Sequence, residues 1–325
     1  ATGEDDVRTA AETHAGMLDP WAEAESPTRA RESNRLRAAD RPTFDRDEVV
    51  TSAPPITRRE RLAPVLPPAA SPASPPVPQR VDLASVEALS DLPDDARASF
   101  ARAAQVRELA RDDEASGFAL ALILEGCLDL SATIVDAMAR RLDRGAILRS
   151  RGTVEHVAPI RLVAASGPAR VATWDERAVE QAFRTCPWVE HELRAAADRL
   201  HAEVGVTMGP LGERLDPVLR AGVTSKLRLR ILGEHETFAA RGKPIPGLLV
   251  VGAGEVELVD DDGSPLGNTL RAGEFLFPNE VLRAAPAPST ARAAKGGALI
   301  LTADRGIAQE LLVTFPPLLE IFAGE

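Results

Sequence analysis

At 325 residues and 34.6 kDa the chain has room for two modest domains at the usual ~150 residues each. Its 44% hydrophobic and 27% charged residues are those of a globular protein, and no run approaches the ~18 uninterrupted apolar residues of a membrane span, so no membrane span is predicted. Thirty-eight Lys+Arg against 49 Asp+Glu give a net charge of −11, which repels phosphate backbones and anionic lipid and disfavours general nucleic-acid or membrane binding.

Cys127 and Cys186 stand far apart without a CxxC, so neither a disulfide framework nor a cysteine zinc site can be built, and a reducing cytoplasm is the expected compartment. Only Lys226, Lys243 and Lys295 are lysines and tyrosine is absent, a bias expected of a GC-rich, bacterial genome.

Residues 1–80 carry no sustained apolar period, and Ser52 to Arg80 holds nine prolines. Proline at that density favours polyproline II over helix or ladder, so this part reads as a disordered, proline-rich tail or linker. Within it Gly16-Met17-Leu18-Asp19-Pro20-Trp21 is either an incidental apolar cluster or a short motif that docks in another protein's groove and recruits the chain to a larger assembly. The chain begins at Ala1 without methionine or a signal pattern, which leaves open a fragment of a longer protein.

From Leu83 the pattern becomes globular. Leu92-Pro93-Asp94-Asp95 followed by Ala96 to Ala104 predicts a helix opened by proline and acids. Apolar runs at Val106–Leu109, Phe118–Leu130, Ala146–Leu148 and Ile160–Ala165, punctuated by glycines, predict antiparallel strands. Helical periods follow over Glu176–Arg184 and from Pro187 to about Val204, the latter with Val189, Leu193, Ala197, Leu200 and Val204 on one face. That face is expected to pack on its own sheet, with dimer pairing as the alternative.

The second half repeats this order. A helix over Leu211–Ala221 is predicted, then strands at Leu227–Ile231, Gly247–Val259, Glu274–Phe277 and Ala298–Thr302, with a hairpin turn at Asp260-Asp261-Asp262-Gly263. A helix over Arg305–Val313, Pro316-Pro317 and a last helix over Leu318–Phe322 close the chain. Gly126 and Gly145 are nineteen residues apart, as are Gly254 and Gly273, so a duplicated domain is the economical reading. The expected organisation is a tail over 1–80, a first domain over 83–205 and a second over 210–325.

These features resemble the cyclic nucleotide-binding domain family, a β-roll of jelly-roll type flanked by helices and shared by bacterial transcription activators, kinase regulatory subunits and gated channels. The resemblance is carried by Gly254 with Val256 and Leu258, and by Arg271-Ala272-Gly273-Glu274-Phe275, which match the family's strand and the turn before its phosphate-binding cassette. It implies a mainly β fold: two tandem β-rolls with flanking helices.

The cassette of that family calls for Phe-Gly-Glu and, ten residues past that glycine, an arginine. The backbone at the glycine and a helix N-terminus receive the cyclic phosphate, the glutamate accepts from the ribose hydroxyl, and the arginine pairs with the phosphate. Here the glycine position falls on Phe277, the glutamate on Pro278 and the arginine on Ala287. In the first half Arg149 and Ser150 occupy the first two positions and the third falls near Ala158. Losing one buried charge partner costs roughly 2–5 kcal/mol. Phosphate and ribose contacts together are then worth about three to seven powers of ten in affinity. The resemblance therefore implies tandem rolls that have lost nucleotide, with no cofactor. The alternative is a cyclic AMP, cyclic GMP or other small-ligand sensor, rescued by a rearranged loop in which Glu280 serves the ribose and Arg283 or Arg292 the phosphate.

No other chemistry finds an anchor. His14, His156, His191, His201 and His235 lack metal-ligand spacing; His191 and His201 read as solvent-facing and His156 as a loop residue. Neither GxSxG, a Walker loop nor a dinucleotide fingerprint occurs, so the chain is not expected to be an enzyme. Asp260–Asp262 is a polar turn rather than a calcium loop, and no helix-turn-helix fits before Glu325. Trp174, Trp188, Phe183, Phe315 and Phe322 are expected in the core, with a hinge or partner surface on the C-terminal helices as the alternative. A regulatory or scaffold protein with a protein partner is the resulting expectation, with a homo-oligomer left open.

Overall fold

The computed structural model describes residues 81–323. The tail, Gly16–Trp21 and His14 lie outside the described residues.

The chain enters through Val81, Leu83, Val86, Leu89 and Leu92, all buried. Helix α1 (Asp94–Ala103) begins after Pro93 with two acids in its first turn, as predicted. Strands β1 (Gln105–Leu109), β2 (Glu114–Ser116), β3 (Leu120–Glu125), β4 (Cys127–Ala132), β5 (Met138–Asp143), β6 (Ile147–Arg149), β7 (Ile160–Val163) and β8 (Ala169–Trp174) then form two antiparallel four-stranded sheets, ordered β1-β8-β3-β6 and β2-β7-β4-β5. Helices α2 (Glu176–Phe183) and α3 (Pro187–Val206) complete the first roll, α2 capped by the Asp175 carboxylate accepting from the Ala178 amide.

After α4 (Pro210–Arg214) and α5 (Pro217–Lys226) come β9 (Arg228–Leu232), β10 (Thr237–Ala239), β11 (Gly247–Val259), β12 (Pro265–Leu270), the single turn α6 (Pro278–Leu282) and β13 (Thr290–Asp304). These strands form one sheet ordered β10-β13-β11-β12, with β9 also on β13. Helices α7 (Arg305–Thr314) and α8 (Pro317–Ala323) follow, α7 capped by Asp304 on the Ile307 amide as Asp175 caps α2. No single helix among the described residues is long and apolar enough to cross a membrane.

The repeat read from the glycines is present in the backbone. Gly126 and Gly254 take φ +76° and +75°, Gly145 and Gly273 +87° and +92°. A Cβ on Gly126 would stand 2.8 Å from the Pro168 carbonyl oxygen, and one on Gly254 2.4 Å from that of Gly297, so each glycine is required twice over. The same hydrogen bonds recur at a constant offset: Ile123 N to Ala146 O and Gly145 N to Ile123 O in the first roll, Val251 N to Glu274 O and Gly273 N to Val251 O in the second.

Several expectations need correction. The run Phe118–Leu130 is two strands, divided at Gly126. The helix expected over Leu211–Ala221 is two, because Pro217 cannot donate and Asp216 caps a fresh start by accepting from Val218 and Leu219 amides. Glu274–Phe277 is not a strand; only the bridge from Phe275 to Val250 forms there. Trp188 is half exposed, donating to Asp91 at 3.1 Å, and Phe315 is half-buried. Trp174, Phe183 and Phe322 are buried, with Trp174 stacked on Phe100 at 4.6 Å.

Helix α3 departs furthest from expectation. Its predicted stripe does face the first roll, Val189 and Leu193 near the chain entry and Leu200 and Val204 in the roll's own core. Ala202 and Val206, on the opposite side, belong to the core of the second roll. At that contact a Cβ on Gly205 would lie 1.6 Å from the Gly252 carbonyl oxygen, so helix and β11 meet backbone to backbone. The second half of α3 is therefore buried all round, and the described residues fall in one compact unit.

Candidate functional site

The residues at the two cassette positions follow the turn at Gly145 in the first roll and that at Gly273 in the second, and their side chains are held by contacts within the protein.

In the first roll β6 carries Arg149 inward, and its side chain is fully buried. The guanidinium donates to the Ala119 carbonyl at 2.8 Å and to Glu176 of α2, and lies 3.4 Å from Glu190 of α3. The cation is thus spent on the protein's own carboxylates. Burial pushes the Glu176 carboxyl up, but the hydrogen bond and charge of Arg149 outweigh it and hold the group below the usual carboxylate range. Ser150 offers its carbonyl to His201 Nε2 at 3.0 Å.

His201 is buried at 3% exposure rather than solvent-facing, because the half of α3 that carries it is enclosed by both rolls. Burial holds its imidazole below the ordinary value, with the Ser150 hydrogen bond and Asp198 acting the other way. Sequence reasoning missed Asp198, which is fully buried and accepts from the Thr153 amide at 2.8 Å and its hydroxyl at 2.5 Å. The signal available was Gly152, whose absent Cβ is what admits the Asp198 carboxylate.

The loop beyond continues onto the second roll. Val154 is 5% exposed and packs in that roll's core, the Glu155 amide donates to the Gly296 carbonyl at 3.3 Å, and the Gly254 amide donates to the His156 carbonyl at 3.2 Å. Ala158, nominal holder of the arginine position, is half-buried beside the first core. His156 is in a loop as expected; His191 is exposed.

In the second roll Phe277 adopts left-handed backbone at φ +53°, a conformation natural to glycine, yet presents a phenyl ring that is 7% exposed. The ring joins a core of Leu249, Val251, Leu276, Ile300 and neighbours, which also takes in Ala287 at 3% exposure. Pro278 starts α6 and has no amide proton to offer an anion. The position that would hold a phosphate-pairing arginine is a methyl group in an apolar interior.

The rescue residues are dispersed. Arg292 is paired to Glu257 across β13 and β11 at 2.9 Å, and Arg283 is exposed just past α6. Glu280 is half-buried and lines a cleft of about 120 Å³ against α7, with Arg305 and Gln309. A larger cleft of about 550 Å³ runs between α1 and α2, and no cassette residue lines it. Among the described residues no group of three or more His, Cys, Asp or Glu is placed to hold a metal. Asp260 accepts from the Asp262 and Ser264 amides, and the three aspartates form a hairpin turn.

The element order, with its doubled turn and capping geometry, gives a mainly β fold with flanking helices that agrees with the tandem β-rolls the resemblance implies. No protein-family model and no curated protein matches the chain. Among solved structures it is similar to the regulatory domain of Toxoplasma gondii PKA with cAMP, at 13% identity over 73% of this chain and 92% of that one, TM-score 0.33. It is also similar to the regulatory subunit of a cAMP-independent protein kinase A from Trypanosoma brucei, at 14% identity over 73% and 87%, TM-score 0.32. The N-terminal domain of a transcriptional regulator from Streptomyces coelicolor A3(2) matches at 21% identity over 37% and 85%, TM-score 0.32.

Proposed function

We propose that this chain is a non-catalytic regulatory or scaffold protein whose two β-rolls, over residues 83–205 and 210–325, no longer take cyclic nucleotide. The observation that carries this reading is the occupancy of the two cassette glycine positions. Arg149 and Phe277 both send large side chains into packed interior, the one ion-paired within the protein and the other in an apolar cluster. A phosphate entering the first place meets an arginine already ion-paired within the protein and, in the second roll, an apolar wall, so its desolvation goes uncompensated. A cytoplasmic protein that works through protein partners, with the tail or the C-terminal helices as contact surfaces, follows from the same reading.

Titration calorimetry of the full chain with cyclic AMP and cyclic GMP tests it. No saturable heat at micromolar nucleotide is the expected result. Saturable binding of either nucleotide would replace this reading with that of a small-ligand sensor. For the tail, capture of partners by the intact chain and by a chain lacking Gly16–Trp21 is compared; equal capture removes that segment from the proposal.

A further inference from the structure

Two domains joined only by a linker each bury their own core and unfold separately. The rolls of this chain share more than a linker. Leu200 and Val204 of α3 lie in one core while Ala202 and Val206 lie in the other. From the first roll, the loop after β6 sends Val154 into the second roll's core and exchanges backbone hydrogen bonds with Gly254 and Gly296. Gly296 takes φ +89°, and its Cβ would come 2.7 Å from His156 Nδ1 of that loop.

We infer that residues 150–157, the segment standing at the first cassette, act as a fixed joint between the rolls, so that the two open and unfold as one cooperative unit. Withdrawing the loop takes Thr153 from the fully buried Asp198 carboxylate, leaving a charge without its donors, and takes Val154 from a core to which its own roll does not belong. The Val154 penalty falls in the other roll, which couples loop opening to the docking of the two rolls. A ligand or partner that required the loop in an open form would therefore compete with docking of the rolls. The inference goes beyond the loss of nucleotide binding and stands whichever way the titration falls.

Differential scanning calorimetry on the full chain and two variants tests it. The expected result is one transition for the described unit, with calorimetric and van't Hoff enthalpies equal. Leu130→Ala, deep in the first roll and away from the joint, should lower the midpoint while keeping a single transition; Val154→Asp should split it in two. Two transitions in the unaltered chain, splitting by Leu130→Ala, or one transition in Val154→Asp would each overturn the inference. Should Val154→Asp fail to fold, hydrogen exchange of the unaltered chain decides. The Glu155 and Gly254 amides should exchange within about tenfold of the slowest β11 amides, and faster exchange would refute the joint.

Discussion

Replacing Phe277 separates two opposed contributions at a single position. Its ring is 7% exposed in an apolar cluster, and truncation of a core phenylalanine to alanine costs roughly 3–5 kcal/mol. Its backbone is left-handed at φ +53°, which an L-residue occupies at a cost of about 1–2 kcal/mol and glycine occupies freely. Phe277→Ala therefore loses the ring and keeps the strain, while Phe277→Gly loses the ring and sheds it. The glycine variant should come out the more stable by about 1 kcal/mol, reversing the usual order of the two residues. At ~2–4 °C per kcal/mol for a unit of this size, Phe277→Ala should melt about 6–20 °C below the unaltered protein and Phe277→Gly about 2–4 °C above Phe277→Ala. Thermal and urea unfolding, each with and without millimolar cyclic AMP, give the measurement, and nucleotide should shift neither variant. If Phe277→Ala unfolds with the unaltered protein, the phenyl ring is not what fills the second cassette and occupancy is refuted; if it unfolds above Phe277→Gly, the left-handed strain is refuted.

Arg149→Met leaves Glu176 and Glu190 without their shared cation. The loss should be about 3 kcal/mol by urea unfolding, the low end for a broken buried pair because both carboxylates reach solvent, and Arg149→Met with Glu176→Gln should recover part of it. The lowered Glu176 carboxyl stabilises the fold above its unfolded value and loses that contribution as pH falls through its folded value, so the acid limb of a stability–pH curve should flatten in Arg149→Met. His201 has the opposite charge type but also a lowered folded value: the unfolded chain takes the proton first, and stability declines as pH drops below about 6.5. His201→Gln should remove that decline, and a pH profile parallel to the unaltered protein would show that His201 is not buried neutral. Gly205→Ala, which in an exposed helix would stabilise by up to about 1 kcal/mol, should instead destabilise, because its Cβ meets the Gly252 carbonyl of β11; a raised melting temperature would refute that close approach.

How far the sequence could be read depended on which residues carried the periodic signal. Strands with strongly apolar runs, β3, β4, β11 and the centre of β13, were legible, as were α1, opened by proline and two acids, and the capped helices α2 and α7. Strands β5 and β12 were not: Met138-Ala-Arg-Arg-Leu-Asp143 and Pro265-Leu-Gly-Asn-Thr-Leu270 are exposed edges, held by pairing with β4 and β11 rather than by an apolar face of their own. The cassette substitutions at Phe277, Pro278 and Ala287 were visible because a resemblance fixed their spacing. The partners of the first cassette segment were not, since Glu176, Glu190 and Asp198 reach it from α2 and α3, and the second face of α3 serves a core of the other roll. His201 was misjudged for the same reason: a helix read against one sheet has a wet side, and a helix held between two cores has none.

That enclosure of α3 bears on how the molecule could be divided. Every second residue from Leu200 to Val206 serves the two hydrophobic interiors in turn, so inserting one residue before Ala202 would rotate everything after it by about 100° and misdirect both sets together. Any cut within the helix strands anchoring residues on the wrong piece, and a cut after Val206 leaves a fragment exposing Ala202 and Val206 to water. No cut through this shared strut leaves both interiors whole.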